Sequence, residues 1–247
     1  MKLLLLCGGF AKRLEPITEF IPKPLLPVAG KPLLDHIIDN IMESKEAKFE
    51  RVIISSNMRF KKNFEYYKEV SKRLYNRDIE LVIEPVIDNA EKLGAVKGIE
   101  YAIRKAGIDD DLLIVAGDNY FDFNLDTMIQ EFNRARAVYI ALYDIKSLED
   151  AKAFGVVSIN DNKEIYKFVE KPENPESTLV STGIYIFPKE QLSMFNNYLN
   201  SNTDVDAIGK FIEWLIKQEK IKGHVFNGEW YDIGNITLYR KLFYSKL

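Results

Sequence analysis

Gly8 and Gly9 follow a run of four leucines and Cys7, and Lys12 and Arg13 come three and four residues after Gly9, with Lys23 a short distance beyond. Glycines let backbone N–H groups approach a phosphate closely, and the cations neutralise it. The alternative is a tight turn beneath solvated charges, so the anion reading needs support from elsewhere in the chain. Asp118, in Val-Ala-Gly-Asp-Asn, ends an apolar run. A carboxylate there is placed either to hold Mg²⁺ between a strand edge and a phosphate or to cap the following turn. Asp232, in Trp-Tyr-Asp-Ile-Gly, offers a second carboxylate before a helical pattern, or a simple N-terminal cap. His36 lies in a helical stripe and His224 in a strand, which marks both as structural. No nucleophile–base pair is apparent.

Short apolar runs alternate with longer amphipathic ones, and these must carry the charged residues. Strands are expected over 2–6, 51–55, 79–83, 112–116 and 138–143. Leu33, Leu34, Ile37, Ile38, Ile41 and Met42 form a helical stripe, and 90–106 and 125–134 read likewise. Such alternation implies right-handed crossovers and a largely parallel sheet covered on both faces. The second half differs. A hairpin is expected from 155–159 and 165–170 around Asn160-Asp161-Asn162, then an extended segment over 179–187. Helices over 204–219 and 236–243 and a strand over 221–226 complete the reading. The expected fold is α/β, a doubly wound, mostly parallel Rossmann-like sheet with a more antiparallel insertion. No linker or repeat divides it, so a single domain over 1–247 is expected, with no hexapeptide β-helix following. Ligands of such sheets bind beyond the carboxyl ends of the strands, where the charged residues above fall.

Bulk composition narrows the function. The 247 residues are 47% hydrophobic and 29% charged, as in ordinary globular chains. A net charge of −3 supplies no basic field for nucleic acid or an anionic membrane, so an anion site must be local. One cysteine, Cys7, excludes an internal disulfide framework and a thiolate zinc site. No stretch approaches the roughly 20 apolar residues of a membrane span, and no signal segment is seen, so a cytoplasmic location is expected.

Two familiar phosphate loops fail here. The dinucleotide fingerprint lacks its third glycine and meets Pro16, and the Walker pattern is absent. Several cations over one loop suit a triphosphate better than a pyrophosphate diester. The prolines of Phe20-Ile-Pro-Lys-Pro-Leu-Leu-Pro hold the backbone extended and would keep the Lys23 amine in one place.

The stretch CGGFAKRLEPITEFIPKPLLPVAGKPLLDHII resembles the sugar-1-phosphate nucleotidylyltransferase signature, G-G-x-G-T-R-L-x-P-x-T followed by P-K-P-L-x-P-V-x-x-K-P. The departures are Ala11 for the usual glycine, Lys12 for threonine and Cys7 for alanine. Three further segments resemble family motifs: Gly117-Asp118-Asn119, Phe168-Val-Glu170-Lys171-Pro, and Trp230-Tyr-Asp232-Ile-Gly. The resemblance implies attack of a sugar-1-phosphate on the α-phosphorus of a nucleoside triphosphate, with inversion, giving a nucleotide sugar and pyrophosphate. It implies catalytic roles for Arg13 and Lys23, and nucleotide contacts from Gly8, Gly9, Lys12, Glu84 and Gly94. One Mg²⁺ would lie between Asp118 and Asp232. The sugar phosphate would meet Asn119, the Gly155 backbone, Glu170 and Lys171.

A sugar phosphate is already a competent nucleophile, which fits the missing general base. Adjacent strand residues point oppositely, however, so Glu170 and Lys171 face one ligand only if the chain turns there. Where relatives often carry glutamine, Glu84 offers acceptors alone, which suits the two donors of guanine. GTP is therefore expected ahead of dTTP or UTP, and glucose-1-phosphate ahead of mannose-1-phosphate. A cytidylyltransferase acting on another phosphorylated alcohol, or a silent sugar-nucleotide-sensing subunit, is the alternative. Relatives are often dimers or tetramers, so a homo-oligomer is compatible with the family.

Overall fold

The structure, a computed structural model, describes residues 1–201 and 206–245. In chain order come β1 (Lys2–Leu6), the short β2 (Pro27–Val28) and β3 (Lys31–Pro32), α1 (Leu33–Met42), β4 (Val52–Asn57), α2 (Lys61–Tyr75), β5 (Ile79–Glu84), α3 (Ala95–Lys105) and β6 (Leu112–Ala116). Next are β7 (Asn119–Phe121), α4 (Asp126–Ala135), β8 (Val138–Asp144), the one-turn α5 (Leu148–Ala151), β9 (Gly155–Ile159), β10 (Ile165–Glu170) and β11 (Leu179–Phe187). The remaining elements are α6 (Ser193–Ser201), α7 (Ile208–Leu215), β12 (Ile221–Phe226), β13 (Trp230–Asp232) and α8 (Ile236–Ser245).

The central sheet runs β10-β9-β11-β6-β1-β4-β5, with β8 and β12 joined through β11. β1 lies parallel to both β4 and β6, and β4 parallel to β5. Because both faces are covered, β1 is apolar from Leu3 to Leu6. Leu3 and Leu5 pack into the core beneath α1 and α4, and Leu4 into the core beneath α3 and α7. The antiparallel part is larger than a hairpin. β11 runs against β6, β8 and β9, so the strand expected over 138–143 joins the main sheet antiparallel through β11 and pairs parallel with β12. The register of β11 shifts between Ser181 and Tyr185, around Gly183, whose φ is 79°.

The helix expected over 90–106 begins instead at Ala95, because Asp88 accepts from the N–H groups of Ala90 and Glu91 and closes a separate turn. Within the expected helix 204–219, the structure has α7 from Ile208, while positions 204 and 205 lie outside the described residues. Its stripe of Ile208, Phe211, Ile212 and Leu215 has helical spacing and packs on β10. α2 escaped the periodicity reading, since Phe64 and Tyr67 are its only buried large apolar residues among many charged ones. Among the described residues no helix is long and apolar enough to cross a membrane.

Candidate active site

The carboxyl ends of the parallel strands open onto one cleft. Gly8 and Gly9 continue β1, and Ala11 follows in the left-handed conformation, φ 48° and ψ 39°. That geometry explains why glycine is the usual family residue there. The buried Thr18 hydroxyl donates to the Ala11 carbonyl at 2.9 Å and holds the turn. Replacing Ala11 by glycine should relieve the conformation and stabilise the fold by about 1 kcal/mol, less the added freedom of the unfolded chain. A higher urea midpoint at constant m-value checks this, and a lower midpoint would mean that alanine carries no strain. Lys12 and Arg13 are exposed on the next turn, and Lys12 has no ion pair among the described residues. Lys23 is 9% exposed, held between Pro22 and Pro24.

The Lys23 Nζ stands 2.8 Å from an Asp118 carboxylate oxygen, across 95 positions of chain. β13 pairs antiparallel with β7, placing Asp232 opposite Asn119, and the Ile233 N–H donates to the Asp118 carbonyl at 3.1 Å. That small ribbon, invisible as periodicity, brings the two aspartates to one cavity. Burial and, second, the Asp118 carboxylate push the Asp232 carboxyl up to about 6, against the opposing pull of Lys23, Lys171 and Arg13. Arg13 exerts the weakest of these pulls on Asp232 and lines none of the three cavities of this cleft. Asn119, 5% exposed, donates to Asp118 at 3.3 Å, while its own carbonyl oxygen has no partner. The indole N–H of Trp230, also in this cavity wall, has none either.

The cavity of about 270 Å³ at this end is lined also by Gly155, Glu170, Lys171, Ser181 and Tyr185. Lys171 has φ 47°, so the chain leaves the strand conformation immediately after Glu170. This resolves the pointing problem of adjacent strand residues: both side chains line the cavity, with Lys171 Nζ 3.6 Å from Glu170 Oε1. The Lys171 N–H bonds the Phe154 carbonyl at 3.0 Å and holds that turn. Gly155 has no room for a side chain, because the Phe168 ring occupies the place of a Cβ. Burial raises the Glu170 carboxyl, against the pull of Lys171.

At the other end Gly8, Gly9, Glu84 and Gly94 line a cavity of about 280 Å³ with Phe10, Ser55 and Asp206. Burial raises the Glu84 carboxyl, opposed by a Ser55 hydroxyl that donates to it at 3.1 Å. A middle cavity of about 300 Å³ shares Leu6, Gly9 and Ala95 with this one, and Asp118, Gly183, Tyr185 and Ile208 with the far one. The three form one continuous trough with Lys23 and Asp118 at its centre. Sequence reading missed Ser55 and Asn57, whose amide donates to the Gly8 carbonyl at 2.9 Å. The signal was the polar triplet Ser55-Ser56-Asn57 closing an apolar strand that was expected to stop at 55. Neither histidine lines the trough. His36 bonds the Val28 carbonyl at 2.8 Å, and His224 meets Glu131 at 2.9 Å. Cys7 is fully buried, and burial holds its thiol well above its ordinary range.

A doubly wound α/β sheet with cations and carboxylates gathered along one trough at its carboxyl edge defines a Rossmann-like protein with its charged groups where ligands of such sheets bind. The chain belongs to the nucleotidyl transferase family, which it matches over residues 2–246. It is 31% identical over 236 residues to the bifunctional protein GlmU of Methanocaldococcus jannaschii, covering 95% of this chain and 51% of that protein. The chain thus spans about half the length of the first curated relatives it matches. It is 30% identical over 219 residues to the UTP–glucose-1-phosphate uridylyltransferase AglF of Haloferax volcanii, covering 88% and 84% of the two chains. Its fold superimposes with a TM-score of 0.81 on UDP-glucose pyrophosphorylase crystallised with UDP-glucose, over 99% of this chain and 97% of that one, at 21% identity.

Proposed function

We propose that the protein transfers a nucleotidyl group from a nucleoside triphosphate to a sugar-1-phosphate, releasing pyrophosphate. The observation that carries this reading is the continuous trough, which runs from the Glu84 cavity past Lys23 and Asp118 to the Glu170–Lys171 cavity. Its length and charge suit two phosphorylated substrates meeting end to end. In this reading the Gly8–Gly9 turn and Gly94 receive the nucleotide, with Lys12 at the edge. Arg13 and Lys23 bind its phosphates and oppose the charge that builds on the departing pyrophosphate. Lys171 holds the sugar phosphate, while Glu170, Asn119 and the Gly155 backbone receive the sugar hydroxyls.

Asp118 and Asp232 suit a magnesium ion. Two carboxylates in one half-buried cavity raise each other's energy, and Mg²⁺ is commonly held by one or two carboxylates plus phosphate oxygens and waters. When bound, the ion would neutralise phosphate charge in the transition state. Alignment in the trough and this neutralisation suffice, since the attacking phosphate needs no deprotonation.

For the base, Glu84 offers guanine two acceptor oxygens, one of them already engaged by Ser55. We therefore read GTP as the nucleotide, with glucose-1-phosphate as the sugar and mannose-1-phosphate next. The AglF name, with UTP, supports the sugar and opposes the base. Pyrophosphate release over a grid of nucleotides and sugar phosphates tests both levels. Turnover with one pair is expected, and tight nucleotide binding without turnover by any pair would mark a silent sensor instead. Glu84→Gln should move the kcat/KM ratio about tenfold from GTP toward UTP or dTTP, because an amide supplies the donor that a pyrimidine carbonyl requires. A wild-type preference for a pyrimidine nucleotide rejects guanine.

A further inference from the structure

α7 touches the Glu170–Lys171 end of the trough through a contact that the proposed chemistry does not use. The Glu170 N–H, at the last strand residue before the left-handed turn at Lys171, donates to the Glu213 carboxylate at 2.8 Å. The Lys210 ammonium holds that carboxylate from its other side, 3.0 and 3.2 Å from the two oxygens. One turn earlier, Gly209 lies so close to Glu170 that any Cβ there would collide with the Glu170 carboxylate. A glycine one residue into a helix weakens it, so this close approach gives the residue a reason to be there. Lys210 and Glu213 lie three residues apart on the same face, and Phe211, Ile212 and Leu215 anchor the opposite face in the core.

We propose that Glu213, steadied by Lys210 and admitted by Gly209, is a positioning residue that sets where Glu170 and Lys171 present their side chains to the sugar phosphate. This rests on the reading of that cavity as the sugar-phosphate site. A helix seated in the core thereby fixes the end of an otherwise terminal strand, whose backbone conformation alone decides whether both side chains face one ligand. Without the carboxylate the Glu170 N–H would lose this partner, and the turn at Lys171 would rest on the bond to Phe154 and the pairing of β10 with β9.

Steady-state kinetics of the whole chain with the best nucleotide and sugar-1-phosphate from the grid test the proposal. Glu213→Ala should raise KM for the sugar phosphate about tenfold and leave KM for the nucleotide within about twofold, because only one end of the trough loses its support. Glu213→Gln keeps an acceptor oxygen and should restore the sugar-phosphate KM to within about twofold of wild type. Gly209→Ala, which displaces Glu170 directly, should show the same substrate-selective defect, and if Glu213→Ala does not fold, Lys210→Ala decides the matter: a selective rise in the sugar-phosphate KM supports the proposal and an unchanged KM overturns it. Equal rises in both KM values together with a lowered Tm would reduce Glu213 to a structural residue and overturn the proposal. So would an unchanged Glu213→Ala enzyme, or a Glu213→Gln variant as impaired as the alanine. An active wild type with an indifferent Glu213→Ala removes this proposal alone, whereas a wild type that turns over no sugar phosphate removes the function reading with it.

Discussion

Asp118→Asn is expected to lower kcat about 10³-fold while leaving the fold intact. The size follows from the proposed role, since loss of a metal-binding carboxylate at the reacting phosphates forfeits about 4 kcal/mol of charge stabilisation, and each 1.36 kcal/mol is tenfold in rate. The fold should tolerate the change for a local reason. The side chain is 40% exposed, and it is the Asp118 backbone carbonyl, unaltered by the substitution, that accepts the bond from Ile233. Pyrophosphate release and a thermal melt on the same preparation separate the two effects, and chelation of divalent metal should reproduce the loss in the wild type. Asp118→Asn enzyme that keeps more than about a tenth of wild-type kcat and still depends on Mg²⁺ would place the metal elsewhere.

Lys23→Ala should cost about 10² to 10³ in kcat, the range seen when one preorganised electrostatic donor is removed from a site where charge develops. Preorganisation is the physical content here. Lys23 is 9% exposed and flanked by prolines on both sides, with its ammonium already directed at Asp118, so little reorganisation accompanies the reaction. Arginine should not rescue, because a planar fork cannot take the place of a compact charge in that confined channel. Stability should fall by less than about 1 kcal/mol, since the partner carboxylate is well exposed and the ion pair is screened accordingly. A Lys23→Ala kcat within about fivefold of wild type would make this lysine a structural partner of Asp118.

The parallel core was legible because its signals are local. Leu3, Leu4 and Leu5 announce a strand buried on both faces, and the stripe of Leu34, Ile37, Ile38 and Ile41 a helix packed on it. The glycine turn with its cations is equally local, being confined to residues 8–13. α2 was illegible because a surface helix needs few apolar residues to seat itself. The start of α3 was misread because a capping aspartate, Asp88, competes with the helix for the same backbone donors. Ser55 and Asn57 were missed because polar residues at a strand end look like the onset of a loop, and only the neighbouring strands show that they meet Glu84 and Gly8.

By itself, then, the order of residues determined the class of sheet, the kinds of charge placed at its carboxyl edge and the anion chemistry those charges can do. Periodicity and motif spacing report on neighbours within a few turns or strands, and those properties need nothing more. Tertiary structure alone decided that Lys23 reaches Asp118, that the ribbon of β7 and β13 brings Asp232 beside it, and that α7 meets the end of β10. It also decided that Glu170 and Lys171 share a cavity, through a left-handed residue that no periodicity reveals. Each of these depends on where separate elements pack, and packing is settled by burial summed over the whole core rather than by any one segment.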